Sequence, residues 1–258
     1  MDSTKLKKTI EALLDTFLEA GKIAKEISVS GIKITIKPDK SPVTNGDLLV
    51  DKILRKKIKD LTPSIPIVSE ETVNLNIENK HNDFWLIDPI DGTKDYIKKK
   101  DEYTLNAALI IDLKPVAGII YAPAKKRLFF SYGKNLAYEA FKGKTLQLNC
   151  SKKNSGKVIG LENSNHTPIE ILNIYKKHNV SETVKISSSF KFCVLAAGEA
   201  DIYAANARAY EWDIAAGHAI LVHAGGSMTT HDEKEFLYGK KNYKNLPIIA
   251  KRSHNLKK

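Results

Sequence analysis

Apolar residues recur at helical spacing near the start of the chain, with lysine and glutamate between them. This periodicity predicts an amphipathic helix over residues 4–27 and a second one over residues 45–61. Between the two helices, Ile32, Ile34 and Ile36 alternate with polar residues, which is typical of a strand. The chain therefore opens with two helices that each present one apolar face to a core.

The middle and the end of the chain differ in pattern. Apolar runs predict strands over residues 65–68, 84–87, 104–111, 116–121, 128–132 and 136–141. Beyond residue 157, strands over 158–161 and 201–204 alternate with helices over 169–178, 192–199 and 213–224. This mixture favours a layered α/β (α+β) fold over a helical bundle or an all-β barrel. The polar stretch 143–157 marks a boundary, so we expect an N-terminal half over 1–145 and a C-terminal half over 146–258.

Composition narrows the class of protein. The 258 residues are 42% hydrophobic and 28% charged, which excludes a disordered or fibrous chain. The sequence contains no apolar run long enough to span a membrane and no apolar signal region behind Met1. The two cysteines, Cys150 and Cys193, have no zinc-type spacing and form no disulfide scaffold. We therefore expect reduced structural thiols in a cytoplasmic protein.

The net charge is strongly positive, since 41 basic residues face 30 acidic ones and leave +11. Such a charge attracts nucleic acid, an anionic membrane or a small anionic substrate. The lysines are scattered in short clusters, and no aromatic and glycine signature of RNA binding accompanies them. We expect a small phosphorylated substrate as the partner and no nucleic acid. A homodimer and a peripheral contact with the inner membrane stay open.

The sharpest chemical feature directly follows the strand over 84–87. It reads Asp88-Pro89-Ile90-Asp91-Gly92-Thr93. The proline keeps Asp88 extended, so that both carboxylates can turn to the same side of a loop. The glycine permits a tight turn, and a helix over 93–97 can then offer free amides to an anion. Carboxylates beside such amides suit magnesium and a phosphate, although an Asp-rich turn that only caps a helix has the same pattern.

Two further acidic sites accompany this motif. Ser69-Glu70-Glu71 ends the strand before it, and Asp213 begins a helix of small residues. Taken alone, the glutamates read as exposed surface residues and Asp213 reads as an N-cap. The small residues Ala215, Ala216 and Gly217 allow close helix packing in either case.

Together these motifs resemble the inositol monophosphatase superfamily of metal-dependent phosphatases, over nearly the whole chain. The resemblance rests on Ser41-Pro42-Val43-Thr44-x-x-Asp47, Ser69-Glu70-Glu71, Trp85-Leu86-Ile87-Asp88-Pro89-Ile90-Asp91-Gly92-Thr93 and Trp212-Asp213-Ile214-Ala215-Ala216-Gly217. Within the superfamily, bacterial 3'(2'),5'-bisphosphate nucleotidases are the most similar, through Lys94-Asp95-Tyr96-Ile97, Glu102-Tyr103-Thr104-Leu105-Asn106 and Ser188-Ser189-Phe190-Lys191-Phe192-Cys193. The implied fold is an αβαβα sandwich.

The resemblance also implies a role for each site residue. One Mg²⁺ would bind Glu70, Asp88 and the carbonyl of Ile90, and a second would bind Asp88, Asp91 and Asp213. Glu70 would help a third ion, so two or three Mg²⁺ are expected. Asp47 and Thr93 would orient or deprotonate the attacking water, and the amides of Gly92 and Thr93 would bind the scissile phosphate. The metal motifs then fall mainly in the first half, and the last metal ligand falls in the second.

Substrate contacts are implied for Ser189, Lys191 and Arg208. Many relatives carry an arginine between two serines, where this chain has Asn163-Ser164-Asn165-His166, and a Tyr-Pro-Arg where it has Tyr203-Ala204-Ala205. Arg208, three residues later, is the expected substitute. The implied reaction is Mg²⁺-dependent hydrolysis of the 3'-phosphate of adenosine 3',5'-bisphosphate.

Two alternatives remain at this stage. The missing arginines favour an inositol monophosphatase or a sugar-phosphate phosphatase on the same metal site. The positive charge alone suggests a non-catalytic binding relative. The presence of six candidate catalytic and metal-binding residues argues against it, because a binding protein does not need them all: Asp47, Glu70, Asp88, Asp91, Thr93 and Asp213.

Overall fold

The computed structural model describes residues 1–77, 81–151, 156–163, 167–253 and 256. The helices are α1 (Ser3–Ser30), α2 (Asn45–Leu61), α3 (Thr93–Ile97), α4 (Ile169–Lys177), α5 (Phe190–Ala196) and α6 (Glu211–His223). The strands are β1 (Ile34–Ile36), β2 (Pro42–Thr44), β3 (Ile67–Ser69), β4 (Phe84–Asp91), β5 (Thr104–Ile111), β6 (Lys114–Ala122), β7 (Arg127–Ser131), β8 (Ala137–Phe141), β9 (Lys144–Gln147), β10 (Ile159–Glu162), β11 (Glu182–Lys185), β12 (Ile202–Ala205), β13 (Ser227–Thr230) and β14 (Ile248–Lys251).

Within the described residues, the strands form one hairpin and two larger sheets. The hairpin pairs β1 with β2. The seven-stranded sheet has the order β3-β4-β5-β6-β7-β8-β9, in which β3 runs parallel to β4 and the following pairs are antiparallel. The five-stranded sheet has the order β11-β10-β12-β14-β13, with parallel pairs on β10 and antiparallel pairs on β14. The strands predicted between residues 104 and 141 are therefore confirmed, and they lie consecutively in one sheet.

Helices cover both faces of the seven-stranded sheet. On one face, Phe17 of α1 and Leu54 of α2 share a buried cluster with Trp85 of β4. On the other face, Leu86 of β4 shares a cluster with Ile220 of α6, with α5 and with the five-stranded sheet. Helix α4 packs on the outer side of the five-stranded sheet. The layers therefore run helix, sheet, helix, sheet, helix, as the family resemblance implies.

Small residues let α6 approach its neighbours closely. A Cβ on Gly118 of β6 would lie 2.5 Å from the carbonyl oxygen of Ala216, and one on Gly217 would lie 2.4 Å from the Phe192 ring. Any larger side chain at these positions would push the helix away from the sheet or from α5. This close packing places the first turn of α6 against the end of β4.

The predicted elements differ from the observed ones in several places. The sequence pattern did not indicate strands β11, β13 and β14, and α5 spans Phe190–Ala196 instead of 192–199. Strand β4 continues to Asp91 instead of ending at Asp88, and α6 begins at Glu211, two residues before its predicted start. Strand β9 lies within the stretch predicted as irregular, and it crosses the expected boundary at residue 145. Its residues are all exposed at a sheet edge, so apolar alternation could not indicate it. The division into two halves stays a prediction. None of the described helices is both long enough and apolar enough to cross a membrane.

Candidate active site

A register shift in β4 places two carboxylates on one face of the sheet. Asp88 pairs with Asn106 of β5, and Asp91 pairs with Thr104. Two residues separate the aspartates but one separates their partners, so β4 carries one extra residue, a β-bulge. Because side chains alternate along a strand, residues three apart would otherwise lie on opposite faces. The sequence predicted the convergence correctly but attributed it to a loop.

The hydrophobic residues around the bulge confirm this change of face. Leu86 faces the cluster that contains α6, whereas Ile90, also at an even position, faces the cluster of α1 and α2. The bulge contains Pro89, a residue that strands tolerate at bulges because it has no N–H to pair. Asp88 and Asp91 therefore both face α6.

Three carboxylates from separate elements meet at this point. Glu70 directly follows β3, which pairs with β4, and Asp213 lies in the first turn of α6. One ligand oxygen from each of Glu70, Asp88 and Asp213 lies within 4.8 Å of the other two. Asp91 lies beside this cluster, and its Oδ2 accepts a hydrogen bond from the N–H of Ser189. The fold thus brings the three acidic motifs together, as predicted.

The cluster has the properties that a divalent cation requires. Oδ1 of Asp88 is fully enclosed and finds no hydrogen-bond partner among the described residues. Burial, reinforced by Glu70 and Asp91, raises the pKa of Asp88 well above its usual range, and burial with Asp91 and Glu70 does the same for Asp213. Buried like charges are costly unless a cation neutralises them. Clustered carboxylate oxygens are the ligands that Mg²⁺ prefers, so these residues fit the ion.

Asp213 is not the N-cap that its position in the sequence suggests. Tyr210 caps α6, and Asp213 is the third helical residue, whose Oδ2 accepts the Tyr210 N–H at 2.8 Å. This bond leaves the other carboxylate oxygen of Asp213 for the cluster. The capping interaction therefore orients the side chain toward Glu70 and Asp88.

Asp47 and Thr93 form the predicted pair. The Thr93 hydroxyl lies 3.2 Å from Oδ1 of Asp47 and 3.0 Å from the carbonyl oxygen of Ile90. Oδ2 of Asp47 accepts bonds from the N–H and hydroxyl of Thr44, which completes a capping box at the start of α2. Burial raises the pKa of Asp47 despite these bonds. The carboxylate is thus fixed by its own helix terminus and directed at Thr93.

Gly92 has a backbone conformation that other residues rarely adopt. Its φ of +89° lies in the left-handed region, and a Cβ there would lie 3.2 Å from the carbonyl oxygen of Glu102. Gly92 and Thr93 both line the cavity over the carboxylates, and α3 begins at Thr93. The turn that the sequence predicted at this glycine is confirmed.

The cavity has a volume of about 540 Å³, and the cations Lys191 and Arg208 are among the residues that line it. Lys191 is buried, donates to the carbonyl of Ser188 and lies 5.1 Å from the centre of the Tyr203 ring. Burial lowers the pKa of Lys191 to about 8, although Asp91 opposes the change. Arg208 is exposed at the rim, and no hydrogen bond or ion pair holds it to the described part of the chain. Its guanidinium is available to an anion.

Ser189 lies behind the cavity wall. Its hydroxyl lies 2.8 Å from the Thr104 hydroxyl and donates to Oδ1 of Asn106 at 2.7 Å. The cavity wall at this point is Ser187 and Ser188. The backbone N–H of Ser189 reaches Asp91, so Ser189 acts on the site through that carboxylate.

Sequence reasoning missed Lys37. Its ammonium group, in the turn after β1, lies 3.1 Å from Glu70 and 2.8 Å from Glu71. Burial opposes the charge of Lys37, but the two glutamates outweigh it and raise its pKa. Burial also raises the pKa of Glu71 to about 7 against the lysine bond. No local signal marked Lys37, because the hairpin brings it to Glu70 from 33 positions away.

The structure describes only the first residue of the segment 163–166, where many relatives carry an arginine between two serines. Asn163 donates to the hydroxyl of Tyr203 at the cavity wall. The following Ser164, Asn165 and His166 lie outside the described residues.

Comparisons with known proteins agree with this geometry. The model of the inositol monophosphatase family matches residues 5–256. The 3'(2'),5'-bisphosphate nucleotidase CysQ of Buchnera aphidicola is 37% identical over 201 residues, which cover 77% of this chain and 75% of that protein. CysQ of Salmonella typhimurium is 36% identical over 198 residues, covering 76% and 78%.

Solved structures share the whole fold. CysQ from Bacteroides thetaiotaomicron, a bacterial member of the same family, superposes with a TM-score of 0.77 at 29% identity and covers 95% of this chain and 97% of its own. An IMPase/NADP phosphatase complexed with Mg²⁺ and phosphate has a TM-score of 0.78 at 18% identity, covering 96% and 91%, and shows the fold alone. The match of the family model and these relatives show that the chain belongs to the inositol monophosphatase family.

Proposed function

We propose that this chain is a Mg²⁺-dependent phosphatase that removes the 3'-phosphate of adenosine 3',5'-bisphosphate and yields AMP and phosphate. The observation that carries the proposal is the cluster of Glu70, Asp88 and Asp213 beside a cavity that Lys191 and Arg208 also line. The cavity thus combines metal-binding oxygens with positive charge. A substrate with two phosphates fits this combination, and the CysQ relatives are nucleotidases of this class.

The metal-binding residues follow from the cluster and its neighbours. Glu70, Asp88 and the Ile90 carbonyl would hold one ion, and Asp88, Asp91 and Asp213 a second, with Glu70 helping a third. When bound, Mg²⁺ supplies Lewis-acid stabilisation of phosphoryl oxygens and lowers the pKa of water. No activated serine, cysteine or histidine nucleophile is apparent among the described residues that line the cavity. We therefore infer direct attack by water without a phosphoenzyme.

Asp47 and Thr93 would prepare the attacking water. The Thr93 hydroxyl has one proton and two acceptors within 3.2 Å, the Asp47 carboxylate and the Ile90 carbonyl. If the proton goes to Asp47, the hydroxyl oxygen can accept a hydrogen bond from water, and the Ile90 carbonyl keeps its lone pairs for the ion. The raised pKa of Asp47 suits a group that accepts a proton during the reaction.

The remaining contacts would bind the two phosphates. The backbone N–H groups of Gly92 and Thr93 would hold the scissile phosphate, since both residues line the cavity beside the carboxylates. Lys191 and Arg208 would face the second phosphate. Arg208, exposed and unpaired within the described residues, can bind it bidentately.

Free thiols support a reducing compartment. Cys150 and Cys193 are both buried free thiols, and burial raises the pKa of each thiol. Such thiols are unreactive and suit a cytoplasmic protein, which is the location we propose.

Phosphate release decides between the substrates. The purified full chain is assayed with Mg²⁺ or with EDTA on adenosine 3',5'-bisphosphate and on inositol 1-phosphate. We expect Mg²⁺-dependent release that is faster for the bisphosphate, with AMP as the nucleotide product. Asp213→Asn serves as the inactive control. Faster hydrolysis of inositol 1-phosphate would replace the nucleotidase by the inositol monophosphatase alternative, and no hydrolysis of either would favour the non-catalytic one.

A further inference from the structure

Strand β5 places two polar side chains directly opposite the carboxylates of β4. Thr104 faces Asp91, and Asn106 faces Asp88. The alternate residues Leu105 and Ala107 belong to the hydrophobic cluster on the other side of the sheet. Thr104 and Asn106 are fully buried on the α6 face, where a strand normally carries apolar residues. Such a polar pair in a sheet core is costly unless it bonds to something.

A directed chain of hydrogen bonds runs through these residues. Asn106 Oδ1 can only accept, so the Ser189 hydroxyl donates to it at 2.7 Å. This donation uses the one hydroxyl proton of Ser189, so Thr104 must be the donor in the 2.8 Å contact between the two hydroxyls. The backbone N–H of Ser189 then donates to Asp91. Asn106 therefore helps to hold the residue that fixes Asp91.

Two buried atoms without a hydrogen-bond partner lie on these paired residues. Nδ2 of Asn106 and Oδ1 of Asp88 are both fully buried, and neither has a hydrogen-bond partner within the described ranges. One atom is a donor and the other an acceptor. Side chains directly opposite in an antiparallel pair have Cβ atoms about 5 Å apart. At that separation, a small turn of either side chain places an amide N–H on the carboxylate.

We propose that Asn106 is a positioning residue for two metal-binding carboxylates. Its amide nitrogen donates to Asp88, and its amide oxygen holds the hydroxyl of Ser189, which keeps the Ser189 N–H directed at Asp91. One side chain thereby sets the orientation of both β4 carboxylates. This inference rests on the metal site of the proposed function and assigns Asn106 no contact with substrate.

Metal affinity tests the proposal without relying on activity. Asn106→Leu keeps the approximate size of the side chain and removes both hydrogen-bonding ends. We expect the dissociation constant for Mn²⁺, measured by calorimetry on the metal-free full chain, to rise about 10- to 100-fold, the usual cost of losing a residue that orients a metal ligand. The electron paramagnetic resonance spectrum of bound Mn²⁺ should also change. Activity lost at low Mg²⁺ should return in part at high Mg²⁺.

Thr104→Val is the matched control on the same strand and face. It removes the Thr104 hydroxyl, which donates to Ser189, but leaves the Ser189–Asn106 hydrogen bond and the Asn106 amide in place. Mn²⁺ affinity should therefore change less than 3-fold. Thermal unfolding in EDTA reports on folding separately. Asn106→Leu removes a donor without a partner but also the acceptor of the buried Ser189 hydroxyl, so we expect its melting temperature to fall modestly. Asn106→Ser repeats the measurement if the leucine variant is insoluble.

Wild-type Mn²⁺ affinity in Asn106→Leu or Asn106→Ser would overturn the proposal. A lower melting temperature in EDTA with unchanged affinity would show a structural role only, and would overturn it too. An unmodified chain that binds no Mn²⁺ would overturn the metal site of the proposed function as well, so the two failures are distinguishable.

Discussion

The hydroxyl of Thr93 lies 3.2 Å from the Asp47 carboxylate, although the two residues belong to different helices. Asp47 is the third residue of α2 and Thr93 the first of α3. The capping box of α2 fixes one oxygen of Asp47 on Thr44 and leaves the other for Thr93. A helix cap therefore also orients a candidate catalytic pair.

Removal of the Thr93 hydroxyl should affect turnover rather than binding. We expect Thr93→Ala to lower kcat about 10²- to 10⁴-fold, the usual contribution of proton transfer by a positioned group, with little change in KM. Thr93→Ser should retain most of the activity, because it keeps the hydroxyl. Steady-state kinetics on adenosine 3',5'-bisphosphate measure both. A rise in KM alone would reduce Thr93 to a phosphate ligand.

Asp88 is expected to be essential for activity but not for folding. Asp88→Asn should lower Mg²⁺-dependent turnover on the order of 10³-fold or more, since the residue is assigned to both ions. Its melting temperature in EDTA should be equal or higher, because the change removes a buried charge beside Glu70 and Asp91. Asp60→Asn, exposed at the end of α2, is the control and should behave as wild type. Near-full activity of Asp88→Asn would contradict the metal site.

Stability should depend on pH through the carboxylates. Burial raises the pKa of Asp91 to about 6, against the effect of Lys191, and burial also raises those of Asp88 and Asp213. The metal-free folded chain then holds these protons more tightly than the unfolded chain. Their contribution to the free energy of unfolding therefore falls as pH rises above the usual aspartate value of 3.8 and through the folded pKa values.

Magnesium should reverse this trend, because it binds the deprotonated carboxylates. We expect the rise in melting temperature on adding Mg²⁺ to be small at about pH 5 and several degrees at about pH 8. The measured quantity is the difference between Mg²⁺ and EDTA at each pH, so the buried His218 and His223, whose pKa values burial lowers, cancel from it. A pH-independent difference would contradict the assignment.

The cations that line the cavity, Lys191 and Arg208, should determine substrate choice. We expect Lys191→Met and Arg208→Ala each to raise KM for adenosine 3',5'-bisphosphate roughly 5- to 150-fold, equivalent to about 1–3 kcal/mol for a charge-assisted contact, with the exposed Arg208 at the low end. A nucleoside 3'-monophosphate should be hydrolysed almost unchanged. Lys98→Ala, an exposed lysine, is the control. If neither variant affects the bisphosphate, these residues do not contact the second phosphate.

Gly92 should tolerate no side chain. Gly92→Ala combines a φ of +89° with a Cβ 3.2 Å from the Glu102 carbonyl oxygen, whereas Gly143, at φ +75°, has no atom within 4 Å of the same position. The conformation alone costs about 1–2 kcal/mol in each. We therefore expect urea unfolding to show a larger loss for Gly92→Ala than for Gly143→Ala, with activity lost only in the former. Equal losses would show that the backbone conformation alone matters.

Interactions between residues close in sequence explain which element bounds could be predicted. The bounds of α2 and α3 are as predicted, because apolar periodicity, the capping threonine and Gly92 act within a few residues. The predicted bounds of β5 also equal the observed ones, because its apolar run ends at turn residues. The acidic motifs and the Asp47–Thr93 pair were identified through their resemblance to a family.

Long-range pairing decided the rest. Whether Asp88 and Asp91 share a face depends on the register of β4 against β5, and one extra residue at Pro89–Ile90 reverses the alternation. The exposed edge strands β9 and β11 exist because a neighbouring strand offers hydrogen bonds.

Side-chain partners required the tertiary structure for the same reason. Lys37 reaches Glu70 only when the hairpin folds over the site, and Ser189 holds Asp91 across 98 positions of sequence. The sequence by itself indicated the candidate residues, through short motifs and their resemblance to a family. The tertiary structure decided which oxygen meets which donor, because strand register and hydrogen-bond geometry are set by contacts between residues far apart in the chain.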